Sequence, residues 1–272
     1  MRSLRIGCVK YLNARPLIHG WPGRVELDHP SSLCQRLARR DIDVALVSSF
    51  EFLRNPIYRI VDDVSISSVG SVYSVIVAHR GEISEITEIE LDPAAETSTN
   101  LLRCLLAELK LNPHLSPGST SLASGRRVPV RGKDFRPGTA PTPNAARLLI
   151  GDQAIRFRQK HTGEFHFWDL GEQWARLAAL PFVYALWLIR PEVVDANQIA
   201  SQLRALRDEN LANIDKLIAD EQRFDRDFCR RYYRQHLRFN FGEKEKEGLR
   251  AFRKLCQKHE LLPKHGIAFS VV

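Results

Sequence analysis

The chain has 272 residues, of which 44% are hydrophobic and 26% charged, and carries a formal net charge of +8. That length accommodates one large domain or two modest lobes, and the composition excludes an intrinsically disordered chain. The basic excess makes a field that attracts anions; with no nucleic-acid-binding signature beside it, a small anionic ligand is the expected partner and nucleic acid is not.

In chain order, Leu4 to Val9 is apolar and rich in β-formers, and predicts a first strand that ends in a loop near Tyr11. Arg5 and Lys10 interrupt the apolar residues there, so no signal-peptide core forms and a cytoplasmic protein is expected. Val25 to Leu27 predicts a second strand. Pro30, Ser31 and Ser32 then open a helix with Leu33 and Leu37 on one face. Val44 to Val47 predicts a third strand that runs into Ser48, Ser49 and a short helix. Tyr58 to Val61 predicts a fourth, and Ser71 to His79 a longer one. A further strand ends at Asp92-Pro93. Thr97, Ser98 and Thr99 open a helix with Leu101, Leu105 and Leu109 on one stripe.

Residues Asn112 to Asn144 hold six of the 14 prolines and predict a long surface loop. The cycle then resumes: Arg147 to Asp152 as a strand leading into a helix, FHFWDL as a strand, GEQWARLAAL as a helix, and PFVYALWLI as a strand. The longest apolar run, Leu180 to Ile189, is well short of the roughly 20 residues that a membrane helix needs, so no membrane partner is expected. After Pro191 the spacing of Ile199, Leu203, Leu206, Ile214 and Leu217 is helical. Arg230 to Arg234 reads as a solvated helix face with buried aromatics rather than an RNA contact. A turn at Gly242 precedes a last helix carrying Leu249, Phe252 and Leu255.

This alternation of strands and helices predicts an α/β fold with mainly parallel sheets. The strand that returns before the helical tail predicts a discontinuous lobe: residues 1–75 and 185–272 form lobe one, and 76–184 lobe two. The five cysteines, Cys8, Cys34, Cys104, Cys229 and Cys256, are odd in number and scattered. They exclude a complete disulfide framework and predict buried thiols, with no zinc site.

Several polar clusters share one placement, where a strand gives way to a loop or helix: Asn13, the pair Ser48 and Ser49, the run Thr97 to Thr99, and Asp152 after Gly151. Ligands of open α/β sheets bind beyond the carboxyl ends of strands, where helix N-termini offer free N–H groups to carboxylates. Any one of these residues is also an ordinary helix cap; their recurrence at matching strand ends points to a cleft. No dinucleotide, Walker, zinc-protease or nucleophile-elbow motif is present, and His19, His29 and His79 are dispersed.

YLNARPL (Tyr11 to Leu17) resembles the opening motif of the chorismate dehydratases of the futalosine pathway to menaquinone. The resemblance runs along nearly the whole chain, through DIDVALVSSFEFLRN (Asp41 to Asn55), Gly70 to Ser74, LDPAAETSTNLLR (Leu91 to Arg103), LLIGDQAIR (Leu148 to Arg156), Asp169 to Trp187, and LRFNFG (Leu237 to Gly242). It implies a two-lobed fold like that of type II periplasmic binding proteins, with a mixed, mainly parallel sheet in each lobe. It also implies dehydration of chorismate, a small dicarboxylate, to 3-[(1-carboxyvinyl)oxy]benzoate, without metal or organic cofactor. On these matches Asn13 stands closest to the chemistry, with Ser74 beside it. Ser74, Thr97 and Ser98 hold carboxylates, Ser48 and Ser49 line the first lobe, Asp152 shapes the wall of the second, and Phe182 and Tyr184 form the hinge-side wall or pack behind it. The sister enzyme that makes 1,4-dihydroxy-6-naphthoate shares this fold but opens with a different motif; a cytoplasmic binding or sensing protein is the non-enzymatic alternative. Three places depart from the pattern, one of them the proline-rich stretch Asn112 to Asn144, which is longer than the resemblance implies. Ala94-Ala95-Glu96 stands where serine and arginine are frequent, so Glu96 is expected to point away from a dianion, and Ser71 stands where proline is usual.

Overall fold

The computed structural model describes residues 4–118, 144–264, 266 and 268–272. Ten strands form two five-stranded sheets. The first half of the first sheet is built by β1 (Ile6–Val9), β2 (Val25–Asp28), β3 (Val44–Ser48) and β4 (Arg59–Ser68), separated by the short helix α1 (Arg15–Ile18), by α2 (Pro30–Ala38) and by α3 (Ser49–Arg54). The chain then crosses to a second sheet made of β5 (Val75–His79), β6 (Glu88–Leu91), β7 (His114–Pro117), β8 (Ala145–Ile150) and β9 (His166–Asp169). Between these strands lie α4 (Glu96–Glu108), α5 (Gly151–Lys160) and α6 (Leu170–Ala178). The chain returns in β10 (Phe182–Ile189), and a helical tail follows: α7 (Ala196–Ala212), α8 (Ile214–Ala219), α9 (Arg226–Arg231), a π-helical turn over Tyr232–His236, and α10 (Glu243–Lys258).

The strand orders are β2-β1-β3-β10-β4 and β7-β6-β8-β5-β9. Each sheet therefore has one strand against the rest: β10 pairs antiparallel with β3 and β4, and β5 with β8 and β9. Both of these are the first strand laid down after the chain changes sheets, so the signal for parallel β-α-β units holds for the other strands and fails only at the crossings. All residues of β3 and all eight of β10 are buried, as expected of strands covered on both faces. From Phe182 onward β10 belongs wholly to the first sheet.

Four differences from the sequence-based expectations have physical causes. The strand predicted from Ser71 begins only at Val75, because the Asp169 carboxylate takes the N–H groups of Val72 and Tyr73 and the Ser71 hydroxyl. Tyr73 there adopts a φ of 67°, which ends any ladder. The fourth strand runs past Val61 to Ser68, where β10 extends it through two register shifts. Thr97 to Thr99 lie inside the first turn of α4, which starts at Glu96. Within the proline-rich stretch, His114–Pro117 pairs parallel with β6; residues 119–143 lie outside the described residues. All five cysteines are free and buried. The Arg-Tyr segment divides as expected, with Tyr232 and Tyr233 buried and Arg230, Arg231 and Arg234 exposed. Among the described residues no helix is long and apolar enough to cross a membrane.

Candidate active site

A narrow cavity of about 70 Å³ lies between the two sheets. It opens at the carboxyl ends of β1, β3 and β8. The first-sheet side contributes Val9, Tyr11, Asn13, Ser48 and Tyr184; the second-sheet side contributes Ser74, Ala94 to Ser98, Ile150 and Gly151.

Three helix starts face this space. Ser48 precedes α3, Ala95 precedes α4 and Ile150 precedes α5, and none of these three residues caps its own helix with its side chain, although Thr97 caps α3 from across the cleft. Capping of their own helices therefore does not account for the hydroxyl residues here. The uncapped first turns of α4 and α5 present N–H groups and the positive end of the helix dipole, which suits carboxylate oxygens.

The polar side chains are organised across the cleft. The Ser48 and Thr97 hydroxyls hydrogen-bond to each other, and the Phe50 N–H donates to Thr97 Oγ1 at 3.2 Å. The fully buried Tyr232 hydroxyl donates to Ser74 Oγ at 2.7 Å. Burial holds the Tyr232 phenol well above its ordinary range, so it serves as a neutral donor. Asn13 follows β1 in a single 3-10 turn (Leu12–Ala14), and its Oδ1 is buried without a hydrogen-bond partner among the described residues. A buried carbonyl oxygen left without a donor is costly, and the same side chain also hydrogen-bonds to the Tyr232 hydroxyl.

Of the residues singled out from sequence, Asn13, Ser48, Ser74, Thr97, Ser98 and Tyr184 meet at this cavity. Three do not reach it. Ser49 turns inward and donates to the Val183 carbonyl at 2.7 Å. Phe182 is buried behind the wall, against Trp174, Tyr184 and Phe252. Asp152 lines the wider mouth of the cleft rather than this cavity: its Oδ1 accepts from the Leu12 N–H at 2.7 Å and its Oδ2 from Arg223 at 2.9 Å. Glu96 borders the space, but its carboxylate is paired with Arg54, which also holds Glu51. Burial raises the Glu96 pKa against the pull of that guanidinium. Ser71 replaces a backbone constraint with a hydrogen bond, donating to Asp169 Oδ2 at 2.8 Å.

Two contributors were not singled out as site residues. Tyr11 presses its ring on the start of α5, where Gly151 has a φ of 57° and an added Cβ would come within 2.8 Å of the ring. Tyr232 lies 158 residues from the serine it touches, and only its aromatic character within a basic helix hinted at burial. No lysine, arginine or histidine stands on the cavity wall among the described residues. Lys10, His29, Arg156 and Arg223 instead border the wider mouth of the cleft.

A sequence profile described as menaquinone biosynthesis matches residues 4–258. A protein of Thermus thermophilus named chorismate dehydratase is 28% identical over 270 residues, spanning 93% of this chain and 94% of that one. Among solved structures, a protein from Archaeoglobus fulgidus is similar with a TM-score of 0.69 at 18% identity, covering 95% of this chain and 98% of that one. The periplasmic aliphatic sulphonate binding protein of Escherichia coli is similar with a TM-score of 0.59 at 13% identity, covering 97% and 94%. At those identities the likeness speaks for the fold alone, which is that of periplasmic binding proteins, an α/β fold with two mixed sheets.

Proposed function

The chain belongs to the menaquinone-biosynthesis family, and from that premise we propose that it is a hydro-lyase converting chorismate to 3-[(1-carboxyvinyl)oxy]benzoate. The observation that carries the reading is the partnerless Asn13 Oδ1 in a cavity whose walls offer hydroxyls and uncapped helix starts but no cationic side chain. The similarity to a protein named chorismate dehydratase supports the same substrate.

Chorismate carries two carboxylates. The first turns of α4 and α5 offer two separate places for them, with the hydroxyls of Thr97, Ser98 and Ser74 supplementing the backbone N–H groups. Neutral donors suit this chemistry, because they hold the dianion and stabilise charge that builds on the ring carboxylate without trapping the product.

The elimination proceeds as follows. The C–H bond at the carbon bearing the enolpyruvyl ether breaks, and its electron pair delocalises through the ring double bond onto the ring carboxylate. That pair then returns to form the new ring double bond as the adjacent hydroxyl leaves. The ring becomes aromatic, which drives the step. The proton combines with the departing hydroxide, so the balance is the loss of one water. Asn13 Oδ1 accepts a hydrogen bond from the hydroxyl and fixes its orientation.

The cavity wall offers no histidine or lysine as a base, and Glu96 is engaged by Arg54. The substrate's own enolpyruvyl carboxylate therefore takes the proton and passes it on to the departing hydroxide, leaving the carboxylate ionised and one water released. The test is incubation of the purified protein with chorismate, followed by chromatography and mass measurement of the product. Turnover to an aromatic enolpyruvyl ether is expected, falling by roughly 100-fold in Asn13→Ala with the fold intact, the scale of losing a positioned polar contact. Tight chorismate binding without turnover would instead make the protein a sensor of that dianion.

A further inference from the structure

We propose that Asp152 is a positioning residue that ties the two lobes across the cleft mouth and holds the turn carrying Asn13 in place, without touching the substrate. The catalytic consequence rests on the dehydratase reading; the tie itself does not.

Asp152 sits in the first turn of α5, on the second-sheet side. Both of its oxygens are committed to the other side of the cleft. Oδ1 receives the Leu12 N–H and Oδ2 receives Arg223. Arg223 is in turn held by Glu221, which also binds the Arg15 guanidinium at 2.5 Å. Leu12 and Arg15 are the two ends of one turn, and Asn13 lies between them. The Tyr233 hydroxyl adds a third point of attachment by donating to the Leu12 carbonyl at 2.9 Å.

The turn is thus pinned on both sides of Asn13, whose side chain lines the cavity and whose Oδ1 is buried without a hydrogen-bond partner among the described residues. Of the three pins, only the Asp152 bond to Leu12 comes from the opposite lobe. Next to it, the Gly151 backbone lies against the Tyr11 ring too closely for a side chain, so α5 and the turn fit in one relative position. Separation of the lobes breaks the Leu12 and Arg223 bonds together. Closure remakes them and sets the Asn13 amide in one orientation. A site held on both flanks loses little of its binding energy to ordering its own groups, which is what a positioned contact requires.

Three variants separate this role from a merely structural one. Asp152→Ala removes both bonds, Asp152→Asn keeps an oxygen for Leu12, and Arg223→Met removes only the ion pair. Hydrogen exchange of the segment Tyr11–Arg15 reads the tie without any assay of activity. Exchange there is expected to rise about 10-fold or more in Asp152→Ala, with the strands of the first sheet unchanged and Asp152→Asn and Arg223→Met near the parent, since local opening free energy sets protection. Turnover of chorismate reads the consequence: kcat is expected to fall roughly 10- to 100-fold in Asp152→Ala with KM changed much less, as for loss of orientation. In an Asn13→Ala background the same change is expected to cost less than about 3-fold, because residues that act through one another are not additive.

Unchanged exchange in Asp152→Ala, or additive losses in the double variant, would overturn the proposal. Should Asp152→Ala fail to fold, Asp152→Ser, too short to reach the Leu12 N–H, takes its place: raised exchange over Tyr11–Arg15 supports the tie and parent-like exchange overturns it. Raised exchange in Asp152→Asn also overturns it. If the parent protein leaves chorismate unchanged, the dehydratase reading fails, and the exchange measurement still decides the tie.

Discussion

Asp169 is 2% exposed and accepts six hydrogen bonds at 2.8 to 3.5 Å, from the N–H groups of Val72, Tyr73, Gly171 and Glu172, from the Ser71 hydroxyl and from the Arg158 guanidinium. One carboxylate therefore caps α6 and pins the first crossing between the sheets. Asp169→Asn preserves the shape but turns an NH₂ toward N–H donors. It is expected to lower unfolding stability by about 3 kcal/mol, the scale of a buried charged acceptor with its partners left unpaired, measured by urea denaturation; a loss below about 1 kcal/mol would show that the crossing is held by other contacts. A second expectation at this scale concerns the proton acceptor. With the substrate carboxylate as base and Tyr232 held neutral by burial, kcat in the dehydration assay is expected to stay flat from about pH 6 to 9. A limb that titrates near neutrality in kcat would point to an enzyme base instead. At the residue scale the sequence was informative about types: hydroxyl and amide residues at strand ends do meet at the cavity. It could not separate Ser48 from Ser49, or Gly151 from Asp152, because neighbouring side chains leave a turn in different directions and only the surrounding fold says which faces the cleft.

The elements that matter most are the two helix starts at α4 and α5. Gly151 opens α5 with a φ of 57°, a conformation that costs an L-residue, and its Cα lies against Tyr11. Gly151→Ala is expected to cost about 1 to 3 kcal/mol of stability from backbone strain and to push α5 off the turn, weakening chorismate binding; thermal unfolding and calorimetric titration would measure the two effects. Unchanged values of both would mean that the close fit is not needed. Most elements were legible, since buried strands such as VALV and FVYALWLI read as apolar runs and the helices kept their periodicity, but the half-exposed strand His114–Pro117 in the proline-rich stretch was not. Element ends were less so. The false start at Ser71 shows why: SVYSVIVAH has strand propensity along its whole length, but a carboxylate 96 residues away competes for the N–H of Tyr73 and wins.

For the whole molecule, the path Arg15–Glu221–Arg223–Asp152 joins the two sides of the cleft by charge. Burial opposes ionisation of Glu221, but the hydrogen bonds from Arg223 and Arg15 outweigh it and lower its pKa from 4.5 to about 2. An unfolded glutamate binds its proton first as pH falls, so ionised Glu221 stabilises the fold fully above pH 4.5, and that contribution fades as pH drops toward 2. The difference in unfolding free energy between the parent and Glu221→Gln is expected to be level above about pH 5.5 and to shrink below it. A difference that does not vary with pH would mean that this network adds nothing by charge.

Composition and periodicity by themselves determined that this is an α/β chain with one strand returning late, because burial patterns and turn chemistry are local properties of the chain; the binding-protein type followed from the resemblance of its motifs to a known family. The tertiary structure alone decided that Tyr232 meets Ser74, that Asp152 reaches Leu12 rather than the cavity, and that Asn13 keeps a free acceptor. Each of these depends on where two segments more than a hundred residues apart, or an unfilled space between them, come to lie once both sheets have packed.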